Sequence, residues 1–179
     1  MSSKKTESNF IADVLGYEGK AEHVFEMLSQ REQRFFGSMA SDEDLVAVLR
    51  GHLFVEADVT GLLEQLFPGA GELIDDLTYE QKIRRLKKAM VLPSDVATLL
   101  KALGELRNIF AHDLDRSLTE ADDTRFFAAL GEQFKPGVLD LIRRGAFPDG
   151  PGARVRAAII VLHTGLCAMR LGSKDAAGK

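Results

Sequence analysis

The chain has 179 residues with 45% hydrophobic and 28% charged side chains, which is the length and composition of one ordinary globular domain with a proper core. A formal net charge of −4 excludes a generally basic protein that coats nucleic acid, so any such contact must come from a local patch. The single cysteine, Cys167, excludes an intrachain disulfide and fits a reducing compartment, where it reads as a small core hydrophobe.

Residues 1–20 read as a loosely held N-terminal segment: a polar start, a short apolar patch at Phe10, Ile11, Val14 and Leu15, then Gly16 and Gly19. The polar start has no secretory signal pattern, and a cytoplasmic protein is expected. The domain itself is expected over 21–172, followed by a disordered tail over 173–179. Its first helix should run from Ala21 to Phe36 and end at Gly37. The next should start at Ser41, with Asp44 three residues on as a variant of the capping box. Its broad apolar face carries Leu45, Val48, Leu49, His52, Val55, Val59, Leu62, Leu63 and Leu66, and Pro68-Gly69 stops it.

Thr78 and Gln81 repeat the capping-box pattern and open a helix to about Met90. Pro93, with Ser94 as cap, begins a helix whose apolar face is Val96, Leu99, Leu100, Leu103, Leu106 and Phe110. After Thr119 a helix with Phe126, Phe127, Leu130 and Phe134 inward is expected to run to Lys135 and to be broken by Pro136-Gly137. A short helix from Val138 to Arg144 and a Gly/Pro-rich loop over 147–152 then lead to a last helix from Ala153 to Leu171. The apolar run within it, 157–169, contains His163 and is too short to span a bilayer. The expected fold is all-α, an up-and-down helical bundle of about five to seven helices, with no strand-like alternation.

Three groups of residues stand out chemically. Arg107 borders the apolar face of its helix, where an unpaired guanidinium would be costly, and Asn108 and His112 follow it. The helix of Thr78 carries Lys82, Arg84, Arg85, Lys87 and Lys88 against one acid, Glu80, a local basic face suited to phosphates or simply to solvent. Arg50, His52 and Glu56 lie on the long second helix, where a His52-Glu56 pair four residues apart reads as a core contact or as a support that tunes Arg107. His23 and His163 look isolated. No metal site is expected, because H-E-x-x-H and Cys/His clusters are missing, and no cofactor is expected, because phosphate-loop and dinucleotide glycine patterns are missing too.

The string Arg107-Asn108-Ile109-Phe110-Ala111-His112, preceded by Leu-Gly-Glu-Leu, resembles the R-x4-6-H signature of the HEPN superfamily, small α-helical bundles that include many metal-independent ribonucleases. The stretch from Leu77 to Leu114 is similar to the mannitol-repressor-like branch of these bundles, as is Arg50-Gly51. The resemblance implies a homodimer in which two motifs face one cleft, with Arg107 and His112 catalytic and Asn108 orienting the imidazole. In that mechanism His112 would move protons and Arg107 would stabilise charge on phosphorus. On an ideal helix the two residues lie about 140° apart, so either the helix ends before His112 or two chains build the site. The alternative is a non-catalytic transcriptional regulator or adaptor acting through a protein partner, with Arg107, Asn108 and His112 pinning a helix end. Direct sequence-specific DNA binding is not expected, since no helix-turn-helix with basic recognition residues is visible.

Overall fold

The computed structural model describes residues 2–15, 23, 26–145, 147 and 150–177, with side chains from Asn9 to Arg170 in the terminal helices. Among these residues the fold is all-α, with nine helices and no strand. In chain order they are α1 (Ser2–Leu15), α2 (Gln30–Met39), α3 (Asp44–Leu66), α4 (Gly71–Asp75), α5 (Tyr79–Lys88), α6 (Ser94–His112), α7 (Glu120–Ala129), α8 (Lys135–Arg143) and α9 (Ala153–Ala177). No described helix is long and apolar enough to cross a membrane.

The long helix α3 is the centre, because its apolar residues recur around most of its circumference. Val48, Val55, Val59 and Leu63 have no exposed surface, and the helix is covered by α9 on one side and by α5 and α6 on another. Gly51 permits the close crossing of α3 and α9: a Cβ there would stand 3.0 Å from Ile159 Cγ2 and 3.0 Å from Met39 Cε. Helix α9 also packs on α7 and α8, and α2 lies on α3.

Several boundaries differ from the expectations, each for a local reason. The segment expected to be loosely held contains α1, whose Phe10, Ile11 and Val14 are buried, Phe10 meeting Phe147 edge to face at 5.6 Å. Residues 16–22 lie outside the described residues. The helix expected from Ala21 is interrupted: His23, Glu26 and Met27 are helical, the chain bends at Leu28, and α2 begins after Ser29, where Ser29 and Glu32 form a capping box, with Gly37 inside it. Ser41 does not cap α3; its hydroxyl accepts from the Glu43 amide at 3.2 Å, and Asp44 turns to other partners. Helix α7 stops at Leu130, not Lys135: Gly131 sits against the Asp95 carboxylate, where a Cβ would collide. Pro136 and Gly137, expected as a break, form the first turn of α8, where proline lacks no needed N–H. The last helix continues to Ala177, into the expected tail.

A buried arginine ties the beginning of the bundle to its end. Arg156, 4% exposed, donates to the carbonyls of Met39 at 2.8 Å and Ser41 at 2.7 Å and to Asp44 Oδ1 at 2.7 Å. The other Asp44 oxygen accepts from the Leu118 amide at 2.8 Å. Both Nη groups of the fork thus meet fixed acceptors, which is what makes a buried guanidinium tolerable.

Candidate functional site

The capping box foreseen at Thr78 forms: its hydroxyl accepts from the Gln81 amide at 3.3 Å and Gln81 Oε1 accepts from the Thr78 amide at 2.9 Å. This cap places Tyr79 on the first turn of α5, facing α6. There its ring lies on the bare backbone of Gly104, where a Cβ would come within 3.1 Å, and its hydroxyl donates to the Leu100 carbonyl at 3.2 Å. The ring also meets His52 of α3, tilted by 58° with centroids 4.5 Å apart.

Above these residues α5 and α6 enclose a pocket of about 460 Å³, lined by His52, Thr78, Tyr79, Lys101, Arg107 and Asn108 among others. Arg107 Nη1 donates to Asn108 Oδ1 at 2.9 Å, which holds the guanidinium along the surface of α6. His52 is 1% exposed, and neither ring nitrogen has a hydrogen-bond partner. Glu56 Oε2 stands 3.8 Å from Nδ1, too far for a hydrogen bond. Burial, and then the positive charge of Arg107, push the His52 pKa down to about 4 against the pull of Glu56, so the ring is neutral near pH 7.

Along α5 the pocket passes into a second depression of about 480 Å³, lined by Glu80, Ile83, Arg84, Lys87, Lys88 and Lys101. Glu80, Ile83 and Lys101 border both, so the two form one groove between α5 and α6. Its walls carry Arg84, Lys87 and Lys88 from one side and Lys101 and Arg107 from the other. Glu105 also borders it but is paired with Arg125.

The residues singled out in the sequence are therefore partly brought together. Arg107, Asn108 and His52 share the pocket, and the influence runs from Arg107 to His52, whose pKa its charge helps to lower, not from a bonded His52-Glu56 pair to Arg107. Lys82 is not part of the basic face: it is buried, with its ammonium 3.5 Å from Glu56. Neither Arg85 nor Arg50, both exposed, lines the groove. His112 is the last residue of α6, so the helix persists through it; its side chain is exposed and does not line the pocket. Asn108 bonds to Arg107 and not to His112, and Arg107 does not pin a carbonyl at the helix end.

A second cluster was not foreseen. His163 is not isolated: its Nδ1 lies 2.5 Å from Oδ2 of Asp58, which has no exposed surface. Oδ1 of Asp58 accepts from Arg31 at 2.6 Å and from Arg170 at 3.4 Å, so α2, α3 and α9 meet on one carboxylate. Burial pushes the His163 pKa down, but the bond and charge of Asp58, together with Cys167, outweigh it and raise it to about 9. Cys167 Sγ is 3.9 Å from both ring nitrogens of His163. Ligating atoms of Asp58, His163 and Cys167 lie within 4.8 Å of one another, as a metal site would need. Two guanidiniums and a protonated imidazole already neutralise that carboxylate, which disfavours a further cation. The warning in the sequence was an acid inside the apolar face of α3 and a histidine inside an apolar run, each of which demands a partner.

Comparison with protein-family models, with curated proteins and with solved structures finds no match for this chain.

Proposed function

We propose that this chain is an RNA-binding protein of the HEPN type, acting as a homodimer, with the groove between α5 and α6 as the track for the phosphate backbone. The observation that carries the reading is the convergence of Arg84, Lys87, Lys88, Lys101 and Arg107 on one groove of a chain whose net charge is −4. Lys101 and Arg107 are six residues apart on α6, about 9 Å along its axis, a separation compatible with neighbouring phosphates on one strand. The reading extends to metal-independent cleavage. Arg107 of one protomer would stabilise charge on phosphorus, and His112 of the other would move the proton between the 2′-hydroxyl and the leaving oxygen.

One observation favours the non-catalytic regulator or adaptor instead: His112 stands outside the Arg107 pocket within a single chain. The two readings part on binding itself. RNA binding measured by fluorescence anisotropy should weaken with salt, and replacing Arg84, Lys87 and Lys88 together by alanine should flatten the log-log slope by about two. An unchanged slope and affinity would remove the groove from RNA recognition and leave the adaptor reading.

A further inference from the structure

His52 raises a question that an open backbone track does not answer. It lies at the floor of the pocket, it is 1% exposed, and both its nitrogens lack partners. Buried polar groups are almost always bonded, and an orphaned pair at the bottom of a pocket points to a ligand that reaches it. A phosphodiester in the middle of a strand runs past such a floor; a group at the end of a chain enters it.

The chemistry of the lining narrows the class. The Tyr79 ring that borders the pocket is already engaged, by its Cδ1–Cε1 edge over Gly104 and by the tilted His52 ring at 4.5 Å between centroids, so it is a poor platform for a nucleobase to stack on. What remains for a ligand is the guanidinium of Arg107, the ammonium of Lys101, the Asn108 amide, the Thr78 hydroxyl and the imidazole. This is a donor-rich set suited to a compact oxyanion. Of the two carboxylates on the lining, Glu105 is neutralised by Arg125, leaving Glu80, which is exposed.

We infer that the pocket is a receptor for a terminal phosphate monoester, of an RNA end or a mononucleotide, gripped by Arg107 and Lys101 with His52 bonding to it from the floor. The inference deepens the RNA-binding reading and rests on it for the identity of the ligand. It carries a proton linkage. Burial and then Arg107 keep His52 neutral, while Glu56, itself paired with Lys82 of α5, pulls the other way. An oxyanion at the imidazole offsets the charge of Arg107 and gives a second N–H an acceptor, so the bound state holds the proton more tightly than the free state. Affinity must then rise as pH falls through the bound-state pKa and level off near the free value of about 4.

The test is histidine-selective ¹⁵N NMR of the full chain, titrated from pH 5 to pH 8 with inorganic sulfate, whose own charge is constant there. The His52 nitrogens should shift on sulfate binding, with affinity rising by up to about tenfold per pH unit as the proton is taken up. His52→Gln, which keeps a donor and an acceptor but cannot titrate, should bind with no such slope. Oligoribonucleotides ending in a 5′- or a 3′-phosphate should bind about tenfold or more tightly than the same strand with hydroxyl ends, and adenosine monophosphate separates a mononucleotide from an RNA end. A His52 signal unmoved by sulfate and by terminal phosphates, or moved equally by unphosphorylated nucleoside, overturns the inference. If sulfate and mononucleotide bind through His52 but RNA of neither end does, the pocket stands and the RNA reading falls. If RNA binds irrespective of its ends, the reverse holds.

Discussion

The Asp58 cluster makes a quantitative statement about stability and pH. Asp58 is wholly buried, and against the effect of burial its bond and charge, together with Cys167, raise the His163 pKa from 6.5 to about 9, which at about 1.36 kcal/mol per unit corresponds to roughly 3 kcal/mol of folding stability. The sign follows from the direction. The folded-state value lies above the unfolded one, so the contribution is complete below about pH 6.5 and is lost as pH rises through about 9. Urea denaturation followed by circular dichroism at pH 6 and at pH 9.5, for wild type and His163→Gln, isolates the effect from other titrations. At pH 6 the variant should be less stable by about 3 kcal/mol, a midpoint lower by about 1 to 2 M urea. At pH 9.5, where the wild-type imidazole has lost its proton, the gap should shrink to less than half. An equal gap at both pH values, or an imidazole titrating near 6.5 by NMR, would refute the argument that the buried Asp58 carboxylate holds a charged His163.

Arg156→Ala strands a carboxylate and two carbonyls, and should cost about 3–5 kcal/mol, seen as a fall in melting temperature of about 10 °C. Thr78→Ala removes half of a reciprocal cap and should cost about 1 kcal/mol by urea denaturation. Met90→Gly should raise stability by up to about 1 kcal/mol. Met90 has φ of 57° just past the end of α5, where its amide donates to the Lys87 carbonyl at 3.0 Å and that of Val91 to the Leu86 carbonyl at 3.2 Å. That closing turn is one glycine adopts without strain, and Met90, 92% exposed, contributes little packing.

What could be read in advance was what is local. Thr78 and Gln81 are three residues apart and cap α5 through each other, and the 3.6-residue repeat of Val96, Leu100, Leu103 and Phe110 marks the buried face of α6 without reference to anything else. Tertiary partners decided the remainder. The apolar patch of α1 looks too small to order a segment until Phe147 covers Phe10 from the far end of the chain. Helix α7 ends where Gly131 meets Asp95 on α6, a contact no neighbouring residue announces. Lys82 belongs by spacing to the basic face, but Glu56 on α3 draws it inward, and His163 finds Asp58 across 105 positions. The site was legible to the same extent: Arg107 and His52 each stood out as polar groups on apolar faces, while their meeting over Tyr79 depended on how α3, α5 and α6 pack.

The central claim is that Arg107 in the groove, completed by a second copy, acts on RNA. The most direct measurement is metal-free cleavage of total RNA and tRNA by wild type, by Arg107→Ala and by His112→Ala, each checked for folding and dimerisation, and by the two variants mixed. Wild type should cleave, each variant alone should lose activity by at least about a hundredfold, and the mixture should recover part of it, because one site of the mixed dimer has both groups intact. Cleavage that survives both substitutions, or none by folded dimeric wild type, would contradict the account and leave a groove that binds without reacting.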